Sequence, residues 1–245
     1  MTAAVRQEAT QNWSSASVTS VTSTAFASAC QVGSLIEAWI IWNTATTQPS
    51  SVVDSAGQSY TFRSSVFDNN DGITVALYTF ANNQSATALT VTATWASAKA
   101  YCAAWTKEIT GVTTSPFQTA AGQDQASPGT GTGVISSGNV TPTSQPCLLS
   151  ALSWDDGGGA TSVVAGSLTS GISGWLLTGG GGAATTISAS QHLTSTAPIA
   201  ATFTNTTDGG TRRFITIAAV YTEASVVYTP FSRTQFFVTD QVIQF

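Results

Sequence analysis

The dominant pattern along this 245-residue chain is a period of two. Short runs in which apolar or aromatic residues alternate with Ser and Thr are bounded by Gly, Asn, Asp and Pro, which is how half-buried strands read. In TALTVTATWA, residues 87–96, Leu89, Val91, Ala93 and Trp95 face one way while Thr90, Thr92 and Thr94 face the other. Together with ITVALYTFA at 73–81 and the connection NNQSA, it predicts a hairpin. SLIEAWIIWN at 34–43 is apolar on both faces, with Ile36, Ala38, Ile40 and Trp42 on one and Leu35, Glu37, Trp39 and Ile41 on the other. That pattern predicts a strand covered on both sides. Further strands are predicted at 51–54, 59–65, 100–109, 133–141, 147–154, 162–165, 174–177, 185–192, 199–205 and 212–223.

Two stretches break the alternation. SPFQTAAGQDQASPGTGTG at 115–133 is polar and carries Pro and Gly, which predicts an extended surface loop. DNNDG at 68–72 predicts a turn with Asp71-Gly72 at its corner, because as a calcium loop it would need Gly at Ile73 and Glu at Thr79. Gly and β-branched residues interrupt every candidate amphipathic helix, and no repeat of about 20 to 50 residues is present. The predicted class is all-β, a jelly-roll-like antiparallel β-sandwich of about ten to fourteen strands with extended terminal arms. Residues 1–29 are expected to form an N-terminal arm and first strand, 30–222 the sandwich, and 223–245 a C-terminal arm.

Composition narrows the partners. Charged residues make up 8% of the chain, against roughly 25% in an average domain, so the surface is neutral and rich in hydroxyls. The 42% hydrophobic content argues for a packed core. A net charge of −5 from seven basic and twelve acidic residues leaves no basic stripe, which argues against nucleic acid as a partner. No apolar run is long enough for membrane insertion, and MTAAVRQEAT lacks the order of a signal peptide, so synthesis in the cytoplasm is expected. Cys30, Cys102 and Cys147 are odd in number and without CxxC spacing, which predicts small buried hydrophobes.

Candidate chemistry is sparse. The one histidine, His192, lies in an alternating strand without the glycine-flanked serine of a hydrolase elbow and reads as an ordinary strand residue. Carboxylates for glycoside hydrolysis would come from Glu37, Glu108, Glu223, Asp54 or the Asp155/Asp156 pair. Glu37 stands out, since a carboxylate within LIEAWIIW needs a partner, for which Arg63 and Arg213 are candidates. No residue is assigned as catalytic, cofactor-binding or metal-ligating. Trp154 beside Asp155 and Asp156, and Trp175 between glycine-rich loops, are candidate glycan contacts, because exposed rings stack on sugars. The ending QFFVTDQVIQF alternates like a strand, and with its upstream residues it offers Tyr228, Phe231, Phe236, Phe237, Val238, Val242, Ile243 and Phe245 as a candidate assembly contact.

The order of SLIEAWIIW, the turn DSAGQSY, ITVALYTFANN, ALTVTATWAS and KEITGVTTSPF, then SSGNVTPTSQPCLLSAL, resembles a group of β-sandwich proteins encoded by bacteriophages and prophages. The resemblance spans about residues 30 to 222, with Gln58 where that group usually has Asn. It implies a non-enzymatic virion structural protein: a capsid decoration, head-fibre or tail-associated subunit. Such a subunit would be made in the host cytoplasm, form a homo-oligomer and contact other capsid or tail proteins. The alternative it leaves open is a carbohydrate-binding adhesin that reads a host surface glycan.

Overall fold

The computed structural model describes residues 2–45, 47–126, 130–155, 160–165, 169–179, 182–208 and 213–225; within these, the side chains of 10–13, 130–132, 155, 160–165, 169–179, 182–185 and 205–208 are left aside. The candidate assembly residues from Tyr228 to Phe245, and Asp156, lie outside the described residues. Every described element is a strand. The first eight are β1 (Ala4–Ser14), β2 (Val18–Thr22), β3 (Leu35–Asn43), β4 (Ser51–Asp54), β5 (Thr61–Asp68), β6 (Ile73–Phe80), β7 (Val91–Lys99) and β8 (Cys102–Thr110). The next eight are β9 (Val112–Ala126), β10 (Thr130–Val140), β11 (Cys147–Asp155), β12 (Ala160–Ala165), β13 (Thr169–Gly179), β14 (Gly182–Leu193), β15 (Ile199–Asp208) and β16 (Arg213–Glu223).

These strands are wound twice in the same way. The first eight form one sheet in the order β1-β8-β3-β6-β5 and a second in the order β2-β7-β4. Adding eight to each number gives the other two sheets, β9-β16-β11-β14-β13 and β10-β15-β12. Each set is an eight-strand, two-sheet jelly roll, with the fifth strand carried on the larger sheet in both. Where the sequence leads one to expect one sandwich over 30–222, the sheets thus divide into two in tandem, and β1 and β2 belong to the first.

The layers stack four deep. The small sheet of the first half packs on its large sheet through Val21, Val52, Val91, Ala93 and Trp95 against Ile36, Ala38, Ile40 and Trp42. The two large sheets face each other through Trp39, Ile41, Leu77 and Trp105 on one side and Leu148, Leu152, Trp154, Ile217 and Tyr221 on the other. Leu149, Ile187, Phe214 and Val220 then meet Ile135 and Phe203 of the last sheet. β3 is covered on both faces because a sheet lies on either side of it, and its two faces divide as the alternation predicts.

Two local expectations are corrected. Strands β6 and β7 do not form a hairpin, since β6 pairs with β3 and β5 while β7 pairs with β2 and β4 in the other sheet. The connection crosses between sheets and is held by buried Asn83, whose N–H donates to Ser34 O at 2.8 Å and whose side-chain Nδ2 donates to Ser85 O at 2.8 Å. Residues 115–126 are strand rather than loop, because β9 is the edge of its sheet, where half-exposed polar side chains are tolerated. Pro116 falls where the β16 register shifts, between Phe117 opposite Tyr221 and Val112 opposite Glu223, and proline is accepted at such edges and bulges. The turn at Asp71-Gly72 forms as predicted, with Gly72 at φ 71° and Asn70 N donating to Asp68 Oδ1 at 2.7 Å.

Candidate functional site: a buried charged row between the two halves

The strand register places three ionisable residues side by side. On β8, Lys107 is directly opposite Glu8 of β1 on one side and Glu37 of β3 on the other. Alternation turns all three toward the second half of the molecule, on the face that carries Trp39, Trp105 and Ile109. The facing sheet makes room with small side chains, since Ser150 of β11 has Ser190 and Ala219 as its cross-strand neighbours.

Contacts across the interface are polar and short. Lys107 Nζ donates to Ser150 Oγ at 3.1 Å and to Ala151 O at 3.0 Å, and lies 3.5 Å from Glu37 Oε2. Ser150 Oγ donates to Glu37 Oε2 at 2.9 Å, and Trp39 Nε1 donates to the same oxygen at 3.2 Å. The ammonium also sits 5.3 Å from the centre of the Trp39 ring, a cation–π distance. Next along the row, Ser188 Oγ donates to Glu8 Oε1 at 2.6 Å, again from the second half to the first. Glu37 and Lys107 are both fully buried, while Glu37 Oε1 and Glu8 Oε2 have no hydrogen-bond partner. Burial pushes the Glu8 carboxyl above its ordinary range, with the attraction of Lys107 only partly opposing it. Burial, and then the neighbouring Glu37 carboxylate, push the Tyr221 phenol well up.

A paired buried charge contributes little net stability, but removing one partner is costly, so such a row fixes which surfaces meet and in what register. The chemistry on offer is that of an amine and two carboxyls held in a dry place. Because Lys107 and Glu37 have no solvent-exposed surface, this is not an open cleft in the conformation seen.

Among the described side chains, the other acidic candidates Glu108, Asp54 and Glu223 are engaged in the scaffold. Glu108, fully buried on the opposite face of β8, accepts from Arg6 Nη1 at 2.5 Å, Gln7 Nε2 at 2.6 Å and Gln31 N at 2.5 Å, tying β1 and the loop before β3 to the sheet. Asp54 Oδ1 accepts from Ala56 N at 2.9 Å and Gln58 N at 3.0 Å, which shapes the DSAGQ turn. Glu223 Oε1 lies 2.7 Å from His192 Nε2 at the rim, so the histidine has a carboxylate beside it that its strand context did not foretell. Arg213 Nε donates to Asp124 Oδ1 at 2.9 Å and lies 3.5 Å from buried Asp68, another link between the halves. Among the described residues, no group of three or more His, Cys, Asp or Glu is placed to hold a metal.

No protein-family model matches this chain, and no curated protein matches it either. Among solved structures, the crystal structure of the major capsid protein P2 from bacteriophage PM2 matches over 88% of this chain and 98% of that one, at 10% identity and a TM-score of 0.31. A likeness at that level says nothing of role.

Arg63 and Arg213 were candidate partners for Glu37 in the sequence, and the structure supplies Lys107. Arg63 is occupied with Thr79 Oγ1 at 2.7 Å and with the Phe117 ring 4.4 Å from its guanidinium carbon. One sequence signal pointed to Lys107: in AYCAAWTKEI it shares a strand face with Ala103, Trp105 and Ile109, and a lysine on an apolar face needs a carboxylate on a neighbouring strand. Trp154 is 2% exposed in the core between the large sheets, so the ring offered as a candidate glycan contact is not at the surface. Asp155 and Trp175 lie in β11 and β13, with side chains outside the description.

Proposed function

We propose that the chain is a non-enzymatic structural subunit of a bacteriophage virion, a decoration, head-fibre or tail-associated protein that joins other virion proteins through its terminal segments. The observation that carries this reading is the tandem jelly roll with its large sheets packed face to face. Jelly rolls build viral capsids as well as lectins and cupins, so the architecture supports the role by analogy. Two further features support it. Among the described side chains, Glu108 and Glu37 serve as clamps between strands and sheets, and Asp54 shapes a turn. The charge-poor sequence and its resemblance to phage-encoded sandwiches point the same way.

The test is particle incorporation. A chain ending at Glu223 is expected to fold, with the far-ultraviolet spectrum of the parent, and to be missing from purified particles that immunogold labelling shows to carry the full chain. Unchanged incorporation of the shortened chain would remove the assembly role of the C-terminal segment. Absence of the full chain from particles would remove the virion reading itself.

A further inference from the structure

The charged row holds more carboxyl than it needs to neutralise one ammonium. Lys107 stands between two direct cross-strand neighbours, Glu8 and Glu37. Its Nζ is 3.5 Å from Glu37 Oε2, while the other oxygen of that carboxylate, fully buried, has no hydrogen-bond partner. Directly opposed residues of an antiparallel pair have Cβ atoms about 5 Å apart. A lysine and a glutamate side chain span that gap with length to spare, so an amide between them strains neither strand. The 3.5 Å contact is from Nζ to a carboxylate oxygen and holds the amine beside the Cδ carbon bonded to that oxygen, in a dry site where holding two groups together favours their reaction.

We propose that Lys107 and Glu37 condense to an internal ε-(γ-glutamyl)lysine amide, an isopeptide cross-link between β8 and β3, with Ser150 and Glu8 as positioning groups. In the first step a proton passes from the ammonium to the Glu37 carboxylate, which leaves a neutral amine and a carboxylic acid. The Nζ lone pair then forms a bond to Glu37 Cδ, giving a tetrahedral carbon that keeps both oxygens. Nζ gives up a proton, one hydroxyl gains a proton, the bond from Cδ to that hydroxyl breaks, and water leaves. Amine plus acid yields amide plus one water, with no oxidation or reduction and no further reactant.

The neighbours suit those steps. Ser150 Oγ, which touches both Nζ at 3.1 Å and Oε2 at 2.9 Å, can hydrogen-bond the oxygen that gathers charge at the tetrahedral stage. Glu8, directly opposite Lys107 on the far side of β8, feels the Lys107 charge and is held by Ser188 Oγ of the second half, so it positions the lysine end of the row. The product also replaces a buried ion pair, costly to desolvate, with a neutral amide. The inference rests on this row alone and is independent of the virion reading.

Mass spectrometry of the folded full-length chain tests it. The expected result is a chain lighter than its sequence by one water, and a digest in which trypsin fails to cut after Lys107 and the peptide containing Lys107 is joined to the peptide containing Glu37. Lys107→Arg should restore the full sequence mass. Glu8→Gln, which keeps the shape of the site and the acceptor for Ser188, should accumulate unlinked chain while retaining the parent's far-ultraviolet spectrum; the same cross-linked fraction in that variant would remove Glu8 from the scheme. A parent chain at full sequence mass, with free Lys107 recovered after denaturation and digestion, would overturn the cross-link whatever the variants do.

Discussion

Single residues show what alternation alone can and cannot reveal. Glu37 was conspicuous in the sequence as a carboxylate on an apolar strand, yet its partner was hidden, because register between β3 and β8 is set by the whole sheet and not by either strand. Glu108 makes a different use of burial, gathering Arg6, Gln7 and the backbone of Gln31. Glu108→Ala would strand a partly exposed guanidinium and leave Gln31 N without its acceptor, at an expected cost of roughly 2–4 kcal/mol. Urea unfolding measures that cost, and hydrogen exchange should show β1 opening first; protection of β1 equal to the parent's would contradict the clamp. The thiols follow simpler logic. Burial pushes Cys30 and Cys102 up to about 11 and raises Cys147 as well, so all three stay protonated and weakly nucleophilic. Alkylation by iodoacetamide at about pH 8 should be slow for the native chain and complete for all three in denaturant. Rapid native labelling of any one would show that its burial is transient.

At the level of elements, most strands were legible, because a face either repeats every second residue or is apolar throughout. What failed was pairing and polarity. The connection from β6 to β7 looks like a hairpin in sequence, and only the sheets reveal that it crosses from one layer to another. β9 lacked an apolar face to announce it, since an edge strand needs less burial than a central one. Its Gly122 lies against the first half: a Cβ there would lie 2.5 Å from Val66 Cγ2 of β5 and 2.8 Å from Ile217 Cγ1 of β16. Gly122→Ala is therefore expected to cost about 1–3 kcal/mol through overpacking. Val66→Ala in the same chain should recover part of that loss by making room. A double variant no more stable than the sum of the single changes predicts would place the strain elsewhere.

For the whole molecule, the repeated winding was invisible in sequence. The unit that recurs is a winding of eight strands, while the side chains that fill it differ: the first half sets Glu8, Lys107 and Glu37 into the shared face, and the second answers with Ser150, Ser190 and Ala219. A repeat of strand order leaves no periodic signal when the residues that fill the two windings differ. The shared face is apolar around its charged row, and the clamp of Arg213 with Asp68 and Asp124 closes a second point of contact. Neither half can open without exposing that face, so calorimetry is expected to give one unfolding transition whose calorimetric and van't Hoff enthalpies agree. Two resolved transitions would mean that the halves are independent bodies.

One glycine brings distant parts of the chain together. Gly111, at φ 74° between β8 and β9, has Thr2 O within 2.5 Å of where a Cβ would stand, and its carbonyl accepts from Ala224 N at 2.9 Å. The start of the described chain, its midpoint and the segment leading away from β16 therefore converge on one small junction. Mechanically, tension applied between residues 2 and 224 should be met first at that junction, where Ala224 N is held on Gly111 O, and pass next into the outer strand β1 and the inner strand β16.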